Sequence, residues 1–213
     1  MSGHDPGAER REHLTARING LEDALVARGL VQSADVDETV ELYRRWLGPQ
    51  HGAMLVARAW TDDAFRARLL EDASAVLQEE GYDGRGSRHD ALRVLRLVVV
   101  ENTEDVHHLI VCTLCSCYPL ALLGPPPRWY KSAEYRARAI RRPRDVLAEF
   151  GVALEPDVAV SVWDSSADCR YLVLPQRPAG TEGYDVQELA GLVTTESLIG
   201  TQRTLATPAG LTR

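Results

Sequence analysis

Three of the chain's four cysteines, Cys112, Cys115 and Cys117, fall within six residues of one another. This crowding constrains the fold more than any other feature, because a Cys-x-x-Cys-x-Cys loop must be held with its sulfurs converging on one side. Four cysteines in 213 residues are too few for a disulfide scaffold, so the cluster reads as metal or redox chemistry. The Cys112-x-x-Cys115 turn can bring two sulfurs onto one ion. With Ser116 alone between Cys115 and Cys117, both thiolates can share a coordination plane with the backbone nitrogens of Ser116 and Cys117. Once those amides are deprotonated, the tripeptide is a planar two-sulfur, two-nitrogen chelate, Cys112 adds an axial sulfur, and one position stays open. Such an electron-rich set suits a trivalent, low-spin first-row ion, cobalt or iron, better than zinc. An open position on a Lewis-acidic ion polarises a substrate or activates water, and thiolates of this kind oxidise to sulfenic and sulfinic states. Spacing alone leaves two other occupants open: a four-cysteine zinc site completed by Cys169, and an iron–sulfur cluster.

The rest of the chain is read around that loop. From Arg10 to Leu30, Leu14, Ile18, Leu21 and Leu25 recur at helical spacing, with Gly29 as the stop. A second helix follows Ser33 and carries Val40, Tyr43, Trp46 and Leu47 before Gly48-Pro49. Met54 to Trp60 come next. After a Thr61 cap, one helix is expected through Phe65, Leu69, Leu70 and Leu77 to Gly81. These apolar stripes are read as core-facing. The glycine-rich loop Asp83 to Arg88 gives a domain boundary: residues 1–82 form a helical N-terminal arm and residues 83–213 an α/β metal-binding catalytic domain. In that domain the pattern predicts strands at Val94–Val100, Leu109–Cys112, Val158–Trp163 and Arg170–Leu174. It predicts helices at Tyr130–Ile140, Pro143–Phe150 and Val186–Val193, and a proline-stiffened loop from Pro119 through Pro125-Pro126-Pro127. The fold class is α+β.

The composition excludes several functions. A net charge of -7 gives no electrostatic attraction to nucleic acid or to an anionic membrane surface. No run of about 18 to 20 apolar residues spans a membrane. The polar start Met1-Ser2-Gly3-His4-Asp5-Pro6 lacks the apolar core of a secretory signal. A cytoplasmic protein with no nucleic-acid or membrane partner is expected.

The string Val111-Cys112-Thr113-Leu114-Cys115-Ser116-Cys117-Tyr118-Pro119 resembles the metal motif of the nitrile hydratase α subunit. Val100-Glu101-Asn102-Thr103, Pro126 to Ser132, Glu134 to Arg138, Pro143-Arg144, Arg170-Tyr171 and Leu174 to Gly183 are also similar to that family. The resemblance implies a layered strand/helix domain of the nitrile hydratase α-chain type behind the helical arm. It implies that Cys112, Cys115, Cys117 and the backbone nitrogens of Ser116 and Cys117 bind non-corrin cobalt(III), with iron(III) the alternative. Thr113 marks the cobalt branch. Cys115 and Cys117 become the catalytic sulfinic and sulfenic acids, while Cys112 stays a thiolate. The implied partners are a β subunit of one or two chains, a small-molecule nitrile, and an activator chaperone for metal insertion. Arg170 maps to the subunit contact.

The sequence departs from the family in two places. Leu120-Ala121 replaces a tryptophan-proline pair, and Asp90-Ala91-Leu92-Arg93 stands where a glycine-proline-(glutamine or glutamate)-glycine stretch is usual. The smaller side chains after the cluster point to a wider pocket and a bulky or heterocyclic nitrile, of the toyocamycin kind. Tyr118, Leu120 and Trp129 are the candidate pocket walls. The metal subunit of thiocyanate hydrolase shares the motif, and a non-catalytic zinc-carrying module is the reading from another class. His107 and His108 are read as a solvated or hydrogen-bonded pair at a turn, and Cys169 as a core or near-surface thiol. The run Arg136, Arg138, Arg141, Arg142 and Arg144 reads as a solvated or interface-facing face.

Overall fold

The structure is a computed structural model and describes residues 6–46, 48–82, 96–115 and 117–204. The expected loop at 83–88, the first residues of the first expected strand and the stretch 90–93 lie outside them. The described residues divide into two compact units, Met1–Arg45 and Trp46–Arg213.

The first unit holds two helices, α1 (Pro6–Ala27) and α2 (Ser33–Trp46). Gly29 ends the first with a positive φ, and the Leu30 amide donates back to the Leu25 carbonyl. The expected stripe on α1 exists, but Leu14, Ile18 and Leu21 on it are 54%, 56% and 62% exposed. Periodicity reports that a helix has an apolar side. It does not report what covers that side.

In the second unit, α3 (Pro49–Thr61), α4 (Asp63–Glu71) and α5 (Ala73–Glu79) follow, α4 and α5 packed against the strand Leu97–Glu101 and α3 against α4; the two units divide between Arg45 and Trp46. Where one helix was expected after a Thr61 cap there are two. Asp62 caps α4 by accepting from the Phe65 amide, and Asp72 caps α5 by accepting from the Ala75 amide. An aspartate competes for backbone amides and so restarts a helix inside a periodic stretch.

Four strands follow, β1 (Leu97–Glu101), β2 (Val106–Val111), β3 (Ala159–Asp164) and β4 (Arg170–Leu174). They form two parallel pairs, β1 with β4 and β2 with β3. Strand β2 begins earlier than its apolar run suggests, so His107 and His108 lie in the strand and not at a turn. Parallel strands need long crossovers. The one from β2 to β3 carries the cysteine loop and then α6 (Leu120–Leu123), a 3-10 turn at Arg128–Lys131, α7 (Ala133–Arg141) and α8 (Pro143–Glu149). Pro119 sits at the N-cap of α6, so the segment expected as pure loop contains a helical turn. The last expected helix is shorter, α9 (Val186–Ala190), and α10 (Thr195–Ile199) was not anticipated, although its Thr194–Ser197 capping box is visible in the sequence.

Helix α10 ends at Gly200, with φ 92° and no room for a Cβ, which would stand 2.0 Å from the His108 carbonyl oxygen. The Gly200 carbonyl can only accept, so buried His107 donates to it through Nε2 at 2.7 Å, leaving Nδ1 to accept from Asn102 at 3.4 Å. His108 Nδ1 accepts from the Trp163 indole at 2.9 Å. Burial holds both imidazoles below the ordinary value of 6.5; hydrogen bonding to the Gly200 carbonyl opposes this at His107 and Arg203 reinforces it. The unfolded chain therefore binds protons that the folded chain refuses, and the stability these histidines contribute, complete above pH 6.5, is lost as pH falls below it. Melting temperature measured from pH 7.5 to 5 is expected to drop, and His107→Gln, which keeps a donor toward Gly200 without a titratable ring, is expected to make that drop shallower.

Candidate metal centre

Strands β2 and β3 end side by side, with Val111 in register with Asp164. The chain leaves β2 at Cys112, fully buried in the core, and turns out through Thr113 and Leu114, both exposed. Asp164 captures that turn: its carboxylate accepts from the Thr113 amide at 2.9 Å and from the Thr113 hydroxyl at 2.5 Å. The Ser165 amide meanwhile donates to the Val111 carbonyl. On the far side of the loop, buried Tyr130 donates its hydroxyl to the Cys117 carbonyl at 3.0 Å, and Tyr135 donates to the Ile110 carbonyl at 2.7 Å. Ser132 caps α7 and so fixes where these rings stand.

Held in this way, the sulfurs of Cys112, Cys115 and Cys117 lie within 4.8 Å of one another. Cys112 and Cys115 are 3.7 Å apart, Cys115 and Cys117 3.2 Å, and the Cys115 amide points at the Cys112 sulfur from 3.4 Å. Two sulfurs each about 2.3 Å from one ion stand about 3.3 Å apart at a right angle and about 3.8 Å at the tetrahedral angle. The observed spacings are those of ligands around a common cation, and the closer pair matches the right angle. Ser116 lies outside the described residues. Cys169 is not part of the group; it sits half-buried just before β4 with its thiol toward the Arg170 carbonyl, so the described sulfurs do not assemble a four-cysteine set.

The electrostatics keep the Cys117 thiol protonated in the absence of a cation. Burial, with hydrogen bonding to the Cys115 and Cys112 sulfurs, pushes the Cys117 thiol up to about 12, and the positive charge of Arg170 opposes it. Three sulfurs this close cannot share negative charge by themselves, and a soft multivalent ion removes that conflict.

The remaining candidates fall unevenly around the loop. Arg170, at the start of β4, donates to the Ser166 carbonyl while its charge reaches Cys117. Tyr118 is 8% exposed and meets Tyr130 edge-on at 5.1 Å, its hydroxyl buried without a partner. Trp129 is packed among Tyr130, Tyr135 and Phe150. Leu120 opens α6 and is half-buried. A cavity of about 300 Å³ touches the loop at Thr113, but Ala133, Arg136, Ala137, Ile140 and Arg141 complete its lining. The basic run is not one solvated face: Arg138 pairs with Glu149, Arg144 donates to the carbonyls of Glu155, Pro156 and Val158, and Arg136 turns onto the cysteine loop. Asp164 and Tyr130 were not singled out from the sequence, and Arg136 was read only as part of a solvated or interface-facing run. Each acts through space on a residue at least 13 positions away, and no local spacing encodes that.

A loop of three clustered sulfurs hung from the end of a parallel strand pair is a group that could hold a metal ion in a protein of mixed helices and small sheets. The comparisons narrow the class. The family model described as "Nitrile hydratase, alpha chain" matches residues 12–202, and the chain belongs to the nitrile hydratase α-chain family. It is 50% identical to the low-molecular weight cobalt-containing nitrile hydratase subunit alpha of Rhodococcus rhodochrous over 204 residues, 94% of this chain and 95% of that one. It is 45% identical to the cobalt-containing nitrile hydratase subunit alpha of Pseudonocardia thermophila, over 91% of this chain and 92% of that one. Identity to the thiocyanate hydrolase subunit gamma of Thiobacillus thioparus is 39%, over 84% and 75%. Among solved structures, a double mutant of the Fe-type nitrile hydratase from Comamonas testosteroni Ni1 superposes with a TM-score of 0.75 at 38% identity, covering 99% of this chain and 97% of that one.

The Tyr130 hydroxyl is the buried tether of the last cysteine. Tyr130→Phe is expected to lower the stability of the metal-free chain by about 1 kcal/mol, or about 2 to 4 °C in melting temperature. Asp164→Ala, at an exposed carboxylate, is expected to cost no more.

Proposed function

We propose that this chain is the metal-carrying α subunit of a cobalt nitrile hydratase heteromer, hydrating R-CN to R-CONH2. The observation that carries the reading is the convergence of the three sulfurs at coordination spacing. Identity to cobalt-containing relatives supports cobalt over iron. Cys112, Cys115, Cys117 and the backbone nitrogens of Ser116 and Cys117 are the ligands. When bound, trivalent cobalt supplies Lewis-acid polarisation of the nitrile. Cys112 is buried and remains a thiolate, whereas Cys115 is exposed and Cys117 half-exposed, the order of access in which oxygenation to sulfinate at Cys115 and sulfenate at Cys117 proceeds. The nucleophile toward the nitrile carbon is the sulfenate oxygen of Cys117, which water then replaces, or a hydroxide that a bound metal would generate. Tyr130 and Asp164 hold the loop on either side of the sulfurs, and Arg170 balances the charge on Cys117 at the subunit contact.

A loop exposed at Leu114 and Cys115 needs a cover to exclude water, which supports a β subunit of one or two chains as the partner and a separate activator for metal insertion. Among the described residues no helix is long and apolar enough to cross a membrane, in keeping with a cytoplasmic enzyme. Elemental analysis of the heteromer with peptide mass spectrometry across Cys112 to Cys117 tests the assignment. One cobalt per chain and added oxygens on Cys115 and Cys117 are expected; zinc with three unmodified thiols refutes the catalytic reading in favour of a metal-carrying module.

We infer a bulky or heterocyclic nitrile as substrate, of the toyocamycin kind, from the small pair Leu120-Ala121 immediately after the cluster; half-buried Leu120 is the wall of that pocket, backed by Tyr118 and Trp129, which pack against the aromatic cluster. A heteroaromatic nitrile is expected to give a higher kcat/KM than acrylonitrile, and Leu120→Trp to reverse the order; preference for the small nitrile in the parent enzyme defeats the idea. Thiocyanate is the second substrate to assay, on the strength of the thiocyanate hydrolase relative. Turnover of thiocyanate without turnover of nitriles assigns the chain to that activity instead.

A further inference from the structure

Arg136 spends its side chain on main-chain oxygens and not on an acid. Nη1 donates to the carbonyls of Thr113 at 3.4 Å and Cys115 at 3.2 Å, while Nε turns back to the Ser132 carbonyl at 3.4 Å. Ser132 is the N-cap of α7, so the guanidinium is anchored one turn behind its own Cα before it reaches the loop. Helix α7 is in turn tied to the strand that emits the loop, because Tyr135 donates to the Ile110 carbonyl in β2. Arg138, two residues along, is already paired with Glu149.

We propose that Arg136 is a positioning residue for metal capture: it fixes the Thr113 and Cys115 carbonyls of the loop that carries the sulfurs. The inference rests on the metal-binding function proposed above. Three physical consequences follow from the contacts. Carbonyls two residues apart repel when drawn to one side of a turn, and a shared cationic donor offsets that repulsion. A carbonyl oxygen already accepting from a guanidinium is a poor competitor with sulfur for a cation, so the loop presents soft ligands alone. Hydrogen bonding at the Cys115 carbonyl also draws electron density along the Cys115–Ser116 peptide bond, whose nitrogen belongs to the proposed donor set. Arg136 thereby reaches the electronic state of the centre without touching substrate.

The test uses the full chain with its partner subunit, loaded with a cobalt salt, in the parent form and as Arg136→Ala, Arg136→Lys and Arg138→Ala. Metal retained per chain against a chelator, the sulfur-to-metal charge-transfer absorption and the melting temperature are measured. Arg136→Ala is expected to retain metal about tenfold less well and to displace the absorption band. Arg136→Lys, which keeps the charge but not the planar fork, is expected to fall between it and the parent. Arg138→Ala is expected to match the parent in retention and spectrum. Parent-like retention with an unshifted band in Arg136→Ala overturns the proposal. If melting shows that Arg136→Ala does not fold, Arg136→Lys decides, and parent-like values there overturn it equally. A parent protein that carries zinc on unmodified thiols defeats the proposed function, yet the ratio of zinc retention between Arg136→Ala and the parent still decides this inference.

Discussion

The register between β2 and β3 is the constraint on which the site depends. Because the two strands run parallel and finish together, Val111 and Asp164 stand opposite one another, and the chain leaving β2 meets a carboxylate that accepts from the first residue of the turn, Thr113. A shift of one residue would carry that carboxylate to the other face of its sheet, since side chains alternate along a strand. Leu109, Ile110 and Val111 are all buried, so the end of β2 that carries the loop is covered on both faces. The loop thus inherits its geometry from the core beneath it.

Around this pairing the crossover works as a brace. Its helical segments are short, and each is set by a local device: proline before α6, a serine cap on α7, proline at the start of α8. None would be stable alone at such length. They are stable here because Tyr130, Tyr135, Trp129 and Phe150 interleave at the T-shaped and tilted angles that aromatic rings prefer. Two of these rings spend their hydroxyls on backbone carbonyls at the site, Cys117 and Ile110. Hydrophobic packing and loop positioning are therefore one structure, and a mutation that loosens the aromatic cluster moves the sulfurs.

Much of this was legible in the sequence where the signal is local. The cysteine spacing, the strand Arg170–Leu174 and the glycine stops at Gly29 and Gly81 need no knowledge of distant residues, and the backbone turns positive at both glycines. The readings that failed depend on what a surface meets. The stripe on α1 has helical spacing yet leaves Leu14, Ile18 and Leu21 exposed, and His107 looked like a turn residue because a polar side chain interrupts an apolar run. His107 is buried because Gly200 offers a carbonyl from 93 positions away. Arg136 looked like one charge in a solvated run for the same reason: its partners are oxygens of the main chain, which every sequence contains and none advertises.

The exposed position of the cysteine loop follows from the same architecture. A loop at the end of a strand pair has core on one side and nothing from its own sheet on the other, so Cys112 is shielded while Leu114 is 82% exposed. Polarising a nitrile needs a water-poor surround, where each charge acts at closer to full strength. The chain supplies the inner half of that surround through the core, Tyr130 and Tyr118, but it leaves the outer half open. Closing the outer half with an insertion of its own would bury the loop's polar backbone and the Asp164 carboxylate that holds it. In the function proposed above, a second subunit covers the sulfurs after a metal has entered through the open face.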